Sequence, residues 1–570
     1  VRSAVAIALL LLALACGGEE PPAQAIGPQA LREHTAEFER RVYTVTDGVH
    51  VAVGYALANS ILIEGENGAI VVDVLGSVEA ARTVRAEFEK ITQKPIVALV
   101  YTHNHADHVF GGRGFVPEGD VEVFSHATTE YYVDRVVSIL RPIIALRSAR
   151  MFGGHLPQQG PDAFINAGIG PRLEIGHGEG TLSFLRPTRT FQDRYEVTVA
   201  GVRMELVHAP GETNDQIFVW LPDKQVLLPG DNVYKAFPNL YTIRGTLYRD
   251  VLDWVHSIDT MRALEPEYLV PSHTRPVAGR EKIAGILTAY RDAIQYVHDQ
   301  TVRGMNRGLT PDELVETVEL PPHLRRHPYL QEFYGTVEWS VRSIFSGYLG
   351  WFDGDAATLS PAGPAERARG YAELAGGPRP LVDAARRALE EERFAWAAEL
   401  AGHAARSDSV AEEAREIQAR ALRELGRRSM SPNGRNYYIT QAMERDGSLE
   451  IPGVQIDESV MGLVRSVPIR NFMAAMPVNL NPERSADADV LVGFRFPDVD
   501  RGFALHVRRG VAEFRDSYPE DPDIGVTVDS QVWKEIVLRL RNPALALASD
   551  DVQVEGSTLK LIGFLRMFRD

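Results

Sequence analysis

A layered α/β fold with two sheets inside and helices outside, followed by an all-α region and an α+β tail, is what three observations in this sequence predict. From Arg41 to about Ala278, apolar runs of strand length alternate with stretches of helical spacing. Beyond it the chain becomes helical, with apolar residues at helical spacing over Thr288 to Met305 and Glu338 to Gly347 and along Val410 to Leu425. From about Ile451 to Asp570 strands alternate with helices again. At 570 residues and 45% hydrophobic, the chain can bury several cores, roughly two to four domains. Its formal charge is −17, with no dense basic run, which excludes nucleic acid as a partner because phosphate contacts need a basic face.

The first residues read as an export signal. Val1 to Ala15 carries one basic residue, Arg2, and then an apolar run too short to span a bilayer, which takes about 20 apolar residues. The run ends Leu12-Ala13-Leu14-Ala15 before Cys16 and resembles a lipobox, with Ala13 where the strongest pattern has leucine. This predicts an exported, periplasmic protein, lipidated at Cys16 and so anchored to the membrane, with an ordinary cleaved signal peptide as the alternative. Cys16 is the only cysteine, so no intramolecular disulfide forms. Residues 17–40 are expected as a tether, most flexible over the Pro- and Gly-rich Gly17 to Gly27.

In the first globular region Gly48 to Tyr55 and Ser60 to Glu64 are strands, and Gly68 to Leu75 is a buried strand. Val78 to Ile91 is a helix, with Val78, Ala81, Val84, Phe88 and Ile91 three or four apart. Pro95 to Tyr101 and Val121 to His126 are strands. Between them Gly111-Gly112 marks a sharp bend or a close backbone approach. Tyr195 to His208 is a hairpin turning at Ala200-Gly201, Ile217 to Leu228 is another turning at Pro222-Asp223-Lys224, and Glu267 to Pro271 is a last short strand.

Just past Val100 the chain places His103, His105, Asp107 and His108 within six residues. That density is wrong for a core, since each group needs a hydrogen-bond or metal partner once out of water. The donor set suits zinc and its first-row neighbours. His103 and His105 can converge on one ion while Asp107 and His108 turn to a second, about 3.5–4 Å away; the bland alternative is a polar surface loop with satisfied histidines. Later strands end in kind, in His208-Ala209-Pro210-Gly211-Glu212-Thr213, Pro229-Gly230-Asp231 and Pro271-Ser272-His273. Each offers a ligand type where a sheet edge sets it on a common rim. His208 is read either as a hydrogen-bonded structural histidine or as a brace for a ligand.

The order of these motifs, His-Xaa-His-Xaa-Asp-His, then Pro-Gly-Xaa-Thr, Gly-Asp and Ser-His, resembles that of the metallo-β-lactamase superfamily, an αββα sandwich with a two-metal site on one edge. Glu212 stands where most of the superfamily has histidine, and this is similar to the zinc-dependent alkyl sulfatases. So are Asn239-Leu240-Tyr241-Thr242-Ile243-Arg244-Gly245, the run Phe394 to Leu400, and Asn436-Tyr437-Tyr438. The resemblance divides the chain into an export signal (1–16), the tether (17–40), a catalytic domain (41–283), a helical dimerisation domain (284–446) and a sterol-carrier-like domain (447–570). It implies a first zinc on His103, His105 and Glu212, a second on Asp107, His108 and His273, and Asp231 as the bridge, where this branch often has glutamate. It further implies a sulfate group held by Asn239, Tyr241 and Arg244, with Asp107, Asp231 and Arg244 as catalytic residues, and a homodimer.

The activity so implied is hydrolysis of an alkyl sulfate to the alcohol and inorganic sulfate. A planar guanidinium such as that of Arg244 suits a sulfate better than an ammonium does. Two other readings stand beside it. A thioesterase, lactonase or phosphodiesterase of the same superfamily has no need of Arg244. A lipid-binding or assembly protein with a structural metal is opposed by the seven candidate ligands, because structural zinc sites are closed by four protein ligands.

In the helical region Thr288 to Met305 and Glu338 to Gly347 are helices. The aromatic cluster Tyr348 to Phe352 is expected in an interdomain or dimer core rather than along an alkyl groove. Pro361 to Pro380 is expected as a loop ahead of an antiparallel helix pair, Leu381 to Leu400 and Val410 to Leu425. In the tail, Val490 to Phe496, Gly502 to Val507, Val511 to Arg515 and Gly525 to Val528 form a sheet, and Asp529 to Leu540 a helix capped by Asp529 or Ser530. Whether that tail binds lipid or is a structural module is open at this level.

Overall fold

The alternating runs after Arg41 become two sheets. In the first, β1 (Arg41–Thr46), β2 (Val49–Val53), β3 (Ser60–Glu64), β4 (Ala69–Val72), β5 (Ile96–Val100), β6 (Glu122–His126) and β7 (Arg189–Phe191) lie side by side in chain order. Pairing is antiparallel from β1 to β4 and parallel from β4 to β7. The second sheet runs in reverse order from β13 (Val277–Ala278) through β12 (Tyr268–Leu269), β11 (Val226–Leu228), β10 (Ile217–Leu221) and β9 (Val202–His208) to β8 (Arg194–Val199). The structure is a computed structural model and describes residues 27–173, 180–451, 458–542, 545–546, 549 and 551–568.

Strand periodicity decides which side chains meet. Val49, Val51, Ile61, Ile63, Ile70 and Val72 alternate onto the inner face of the first sheet and pack against Met204, Leu206, Ile217 and Val219 of the second. The intervening Ala52, Leu62 and Val71 face outward onto Ala81, Val84 and Phe88 of the helix Val78–Phe88, so β4 is buried on both faces. On the far side Phe218, Trp220 and Leu227 meet Trp254 and Ile258 of the helix Val251–Ala263, and Ile283, Leu287 and Tyr290 of the helix Arg280–Met305. The result is the expected αββα sandwich. Full burial of each such large apolar side chain contributes about 1.5–3 kcal/mol. A Cβ on Gly111 would sit 2.0 Å from the Val74 carbonyl oxygen, so that glycine marks a close backbone approach rather than a free bend.

The tail forms its own five-stranded sheet, ordered β16 (Val511–Arg515), β15 (Arg501–Arg508), β14 (Asp489–Phe496), β17 (Ile524–Val528), β18 (Val552–Glu555). Asp529 caps the helix Ser530–Val537 by accepting from the backbone N–H groups of Gln531 and Val532. No helix among the described residues is long and apolar enough to cross a membrane.

Several expectations change. The export signal, Cys16 and residues 17–26 of the tether lie outside the described residues. The rest of the supposed tether is structured: Pro28–His34 is a helix and Thr35–Phe38 a 3-10 turn, with Leu31 and Phe38 buried, because the apolar side chains find a seam to fill. The boundary at 283/284 cuts the continuous helix Arg280–Met305, whose Ile283 and Ile286 share one core with the second sheet. The expected loop Pro361 to Pro380 contains the helix Pro364–Ala375, with Pro364 in the first turn where its missing N–H costs nothing. Leu381 to Leu400 is two helices, Pro378–Glu390 and Phe394–Ala404, broken where Glu392 takes φ 58°. The aromatic cluster is not core within this chain: Trp351 is 74% exposed and Tyr348 48%.

Candidate metal centre

Strand β5 ends at Val100, and the chain turns through Thr102 and His103 into the short helix Ala106–Val109. The turn is pinned by a carboxylate that the sequence reading passed over, Asp73, which follows β4 and is fully buried. Its Oδ1 accepts from the Thr102 backbone N–H at 2.9 Å, and its Oδ2 accepts from the hydroxyls of Thr102 (2.9 Å) and Ser272 (2.7 Å) and from His108 Nδ1 (2.8 Å). One side chain therefore ties together the ends of β4 and β5 and the loop after β12. The signal was available, since Asp73 is a lone acid at a strand end on the same rim as the residues that were identified.

Two of the other imidazoles, those of His103 and His273, are braced in the same manner. The Thr102 hydroxyl, its proton committed to Asp73, accepts from His103 Nδ1 at 3.0 Å, and the Leu57 carbonyl accepts from His273 Nδ1 at 2.9 Å. Holding Nδ1 fixes the ring and turns Nε2 to the centre, as metal-ligating imidazoles require. Six residues converge there as two groups, His103 with His105 and Asp231, and Asp107 with His108 and His273, with one ligand atom from each residue within 4.8 Å of the others in its group. Asp231 Oδ2 belongs to both, lying 3.6 Å from His103 Nε2, 3.5 Å from His108 Nε2 and 3.1 Å from His273 Nε2. Asp107 Oδ2 lies 3.4 Å from His108 Nε2 and 3.6 Å from His273 Nε2.

The charges suit cations. Burial, aided by the neighbouring His108, brings the His103 imidazole down to about 3, so it stands neutral. Burial alone would raise the Asp231 carboxyl, but His273, His108 and His103 hold it well below the usual range. Burial would lower His108, yet Asp231, Asp107 and Asp73 raise it well above. His108 Nε2 and Asp231 Oδ1 are buried without a hydrogen-bond partner, a costly state that a bound cation relieves. The donor set fits a metal.

Glu212 is not among the six residues of these two groups. The buried guanidinium of Arg249 holds it, Nη1 standing 2.7 Å from Glu212 Oε2. Burial raises the Glu212 carboxyl to about 7 against the pull of Arg249. Nothing in its sequence setting distinguishes Arg249 from a surface arginine. Arg244 comes within electrostatic range of His105, Glu212 and Asp107, and burial lowers its pKa. Asn239 is buried with neither end of its side-chain amide hydrogen bonded, while Tyr241 is half-buried on the same loop. His208 stands away from the ligands; it stacks on His126 at 4.0 Å, and its Nε2 donates to the Asn214 carbonyl.

A braced two-group metal site at one edge of an αββα sandwich defines the class, and residues 53–273 match the metallo-beta-lactamase superfamily model. Residues 310–447 match the alkyl sulfatase dimerisation model and 459–570 the alkyl sulfatase C-terminal model. The chain is 41% identical to a linear primary-alkylsulfatase of Pseudomonas sp., over 89% of this chain and 98% of that one. It is 30% identical to an (R)-specific secondary-alkylsulfatase of Pseudomonas sp., covering 91% of this chain and 79% of that one. The solved structure of the stereoselective inverting sec-alkylsulfatase Pisa1 from Pseudomonas sp. superposes with a TM-score of 0.86 at 27% identity, covering 93% of this chain and 85% of that one. This chain belongs to the alkyl sulfatase family.

Proposed function

We propose that this protein hydrolyses alkyl sulfate esters to the alcohol and inorganic sulfate at a centre of two zinc ions. The observation that carries the reading is the convergence of six candidate ligands in two adjoining groups, with Asp231 Oδ2 close to the three braced imidazoles of His103, His108 and His273, beside a loop bearing Arg244 and the unpaired amide of Asn239. His103, His105 and Asp231 would hold one ion, with Glu212 at hand, and Asp107, His108, His273 and Asp231 the other. When bound, the ions supply Lewis acidity and a nucleophile at neutral pH. The chain's own part is recognition. Arg244 donates paired hydrogen bonds to the sulfate oxygens from a site where water is scarce and each charge acts strongly. Asn239 contributes its free amide N–H and Tyr241 its hydroxyl. We also propose a homodimer formed through the helical region, and export with lipidation at Cys16, which mass spectrometry of the N-terminal peptide from membrane fractions would test.

The first experiment measures metal content and sulfate release from a medium-chain alkyl sulfate, alongside Arg244→Ala. About two zinc per chain are expected, with a loss of roughly 10²–10³ in kcat/KM in the variant, the scale for removing one oxyanion donor. Zinc without sulfate release, joined to thioester or lactone hydrolysis that Arg244→Ala leaves intact, would move the activity to another branch of the superfamily.

A further inference from the structure

Val233 to Asp250, which carries the residues assigned to sulfate recognition, contains neither helix nor strand. Something else must fix Arg244. The peptide carbonyl immediately before it, that of Ile243, accepts two hydrogen bonds from one guanidinium, Arg147 Nε at 3.1 Å and Nη2 at 2.5 Å. Arg147 lies on the helix Arg141–Met151, and two further contacts from that helix grip the same segment. Thr242 Oγ1 donates to Met151 Sδ at 3.3 Å, and a Cβ on Gly245 would lie 3.3 Å from Ile144 Cδ1. The helix is anchored in turn to the helix Pro432–Arg445, through Arg150 in a two-point pair with Glu444 (2.9 and 2.8 Å) and through Asn436 Nδ2 donating to the Met151 carbonyl.

We infer that Arg147 is a positioning residue for Arg244: its fork on the Ile243 carbonyl sets the peptide plane from which the Arg244 side chain departs. The inference rests on the reading of Arg244 as the anion-recognition residue. A guanidinium donating twice to one carbonyl fixes the direction of that carbonyl as well as its distance, which a single donor does not. Arg147 itself makes no contact with substrate. Because an error of about 1 Å in placing a catalytic group can cost on the order of 10²-fold, a brace one peptide away is enough to matter.

The test is a double-mutant cycle on metal-loaded, full-length protein, using Arg147→Ala, Arg147→Lys, Arg244→Ala and Arg147→Ala/Arg244→Ala, with hydrogen exchange of the 239–249 peptide measured by mass spectrometry on each. Arg147→Ala is expected to raise KM for an alkyl sulfate, and the inhibition constant of inorganic sulfate, by ~10-fold or more, with a smaller change in kcat. Metal content and melting temperature should stay near wild type, and exchange should quicken within 239–249. Arg147→Lys, with one flexible donor in place of two fixed ones, should recover part of the loss. In the Arg244→Ala background the Arg147 change should have no further effect on KM, because the group it positions is gone. Additive losses, or exchange in 239–249 unchanged by Arg147→Ala, would overturn the inference. A wild-type protein inactive on alkyl sulfates would remove the sulfatase reading instead, and the exchange measurement would still decide whether Arg147 orders the loop.

Discussion

The candidate metal ligands and the residues proposed to recognise sulfate are held in different ways. His103, Asp107, His108, Asp231 and His273 stand at or just beyond strand ends, and His103, His108 and His273 are oriented by Thr102, Asp73 and Leu57 within the same sandwich. Asn239, Tyr241 and Arg244 stand on irregular chain fastened from outside by Arg147 and Met151 and from within by Arg249, whose guanidinium donates to the Asn239 carbonyl. Under them lies a cluster drawn from distant segments, including Leu31, Met151, Phe152, Tyr234, Phe333 and Tyr334. A cluster of charged ligands must be rigid before the ion arrives, whereas a recognition loop can take its shape from whatever packs behind it. The first is therefore built from the most regular part of the fold and the second from the least.

That contrast can be broken from either side. The largest effect belongs to the shared ligand. Asp231→Ala removes an oxygen common to both groups, and metal analysis should find both ions lost and turnover below detection; retention of one tightly held ion would show that the groups are independent. Next comes the brace. Asp73→Asn removes the acceptor that orients His108 and Thr102, and metal titration should show affinity weakened by about 10–100-fold, the usual cost of losing such a partner.

The recognition side should respond to acid through the packing behind it. His34, on the N-terminal helix, stacks on Phe333 at 4.1 Å, its Nε2 bonded to the Gly168 carbonyl. Burial brings its pKa down from 6.5 to about 4. Between those values the unfolded chain binds the proton and the folded chain does not, so stability is full above pH 6.5 and falls as the pH drops toward 4, by about 3 kcal/mol in all. Thermal melts across that range should show a shallower slope in His34→Gln than in wild type. The smallest effect is expected from Glu444→Gln, which opens the Arg150 pair; the two side chains are 18% and 22% exposed, and chemical denaturation should show a cost of ~1 kcal/mol or less.

How far each part was legible follows from the range of its causes. The ligand types were readable because metal chemistry limits the side chains that can serve and strand ends limit where they fall. Local strand pairing was readable from hairpin turns such as Ala200-Gly201, where Val199 pairs with Val202. Asp73 carried the same signal and was passed over, while Arg249 and Arg147 carried none, since a buried arginine and an exposed one look alike until their partners are known. The helix Pro28–His34 was missed for a related reason: seven residues are too few to be stable as a helix alone, and only the seam they fill makes them one.

By itself, then, the sequence determined the period of each element, the donor set at the strand ends and the resemblance that groups them, because these depend on neighbours a few positions away. The tertiary structure alone decided that Glu212 is gripped by Arg249, that Asp73 braces three segments, that the supposed tether packs as a helix, and that Arg244 is aimed by a guanidinium nearly a hundred residues earlier in the chain. Each of those depends on which surfaces meet once the layers close, and no local pattern in the chain records that meeting.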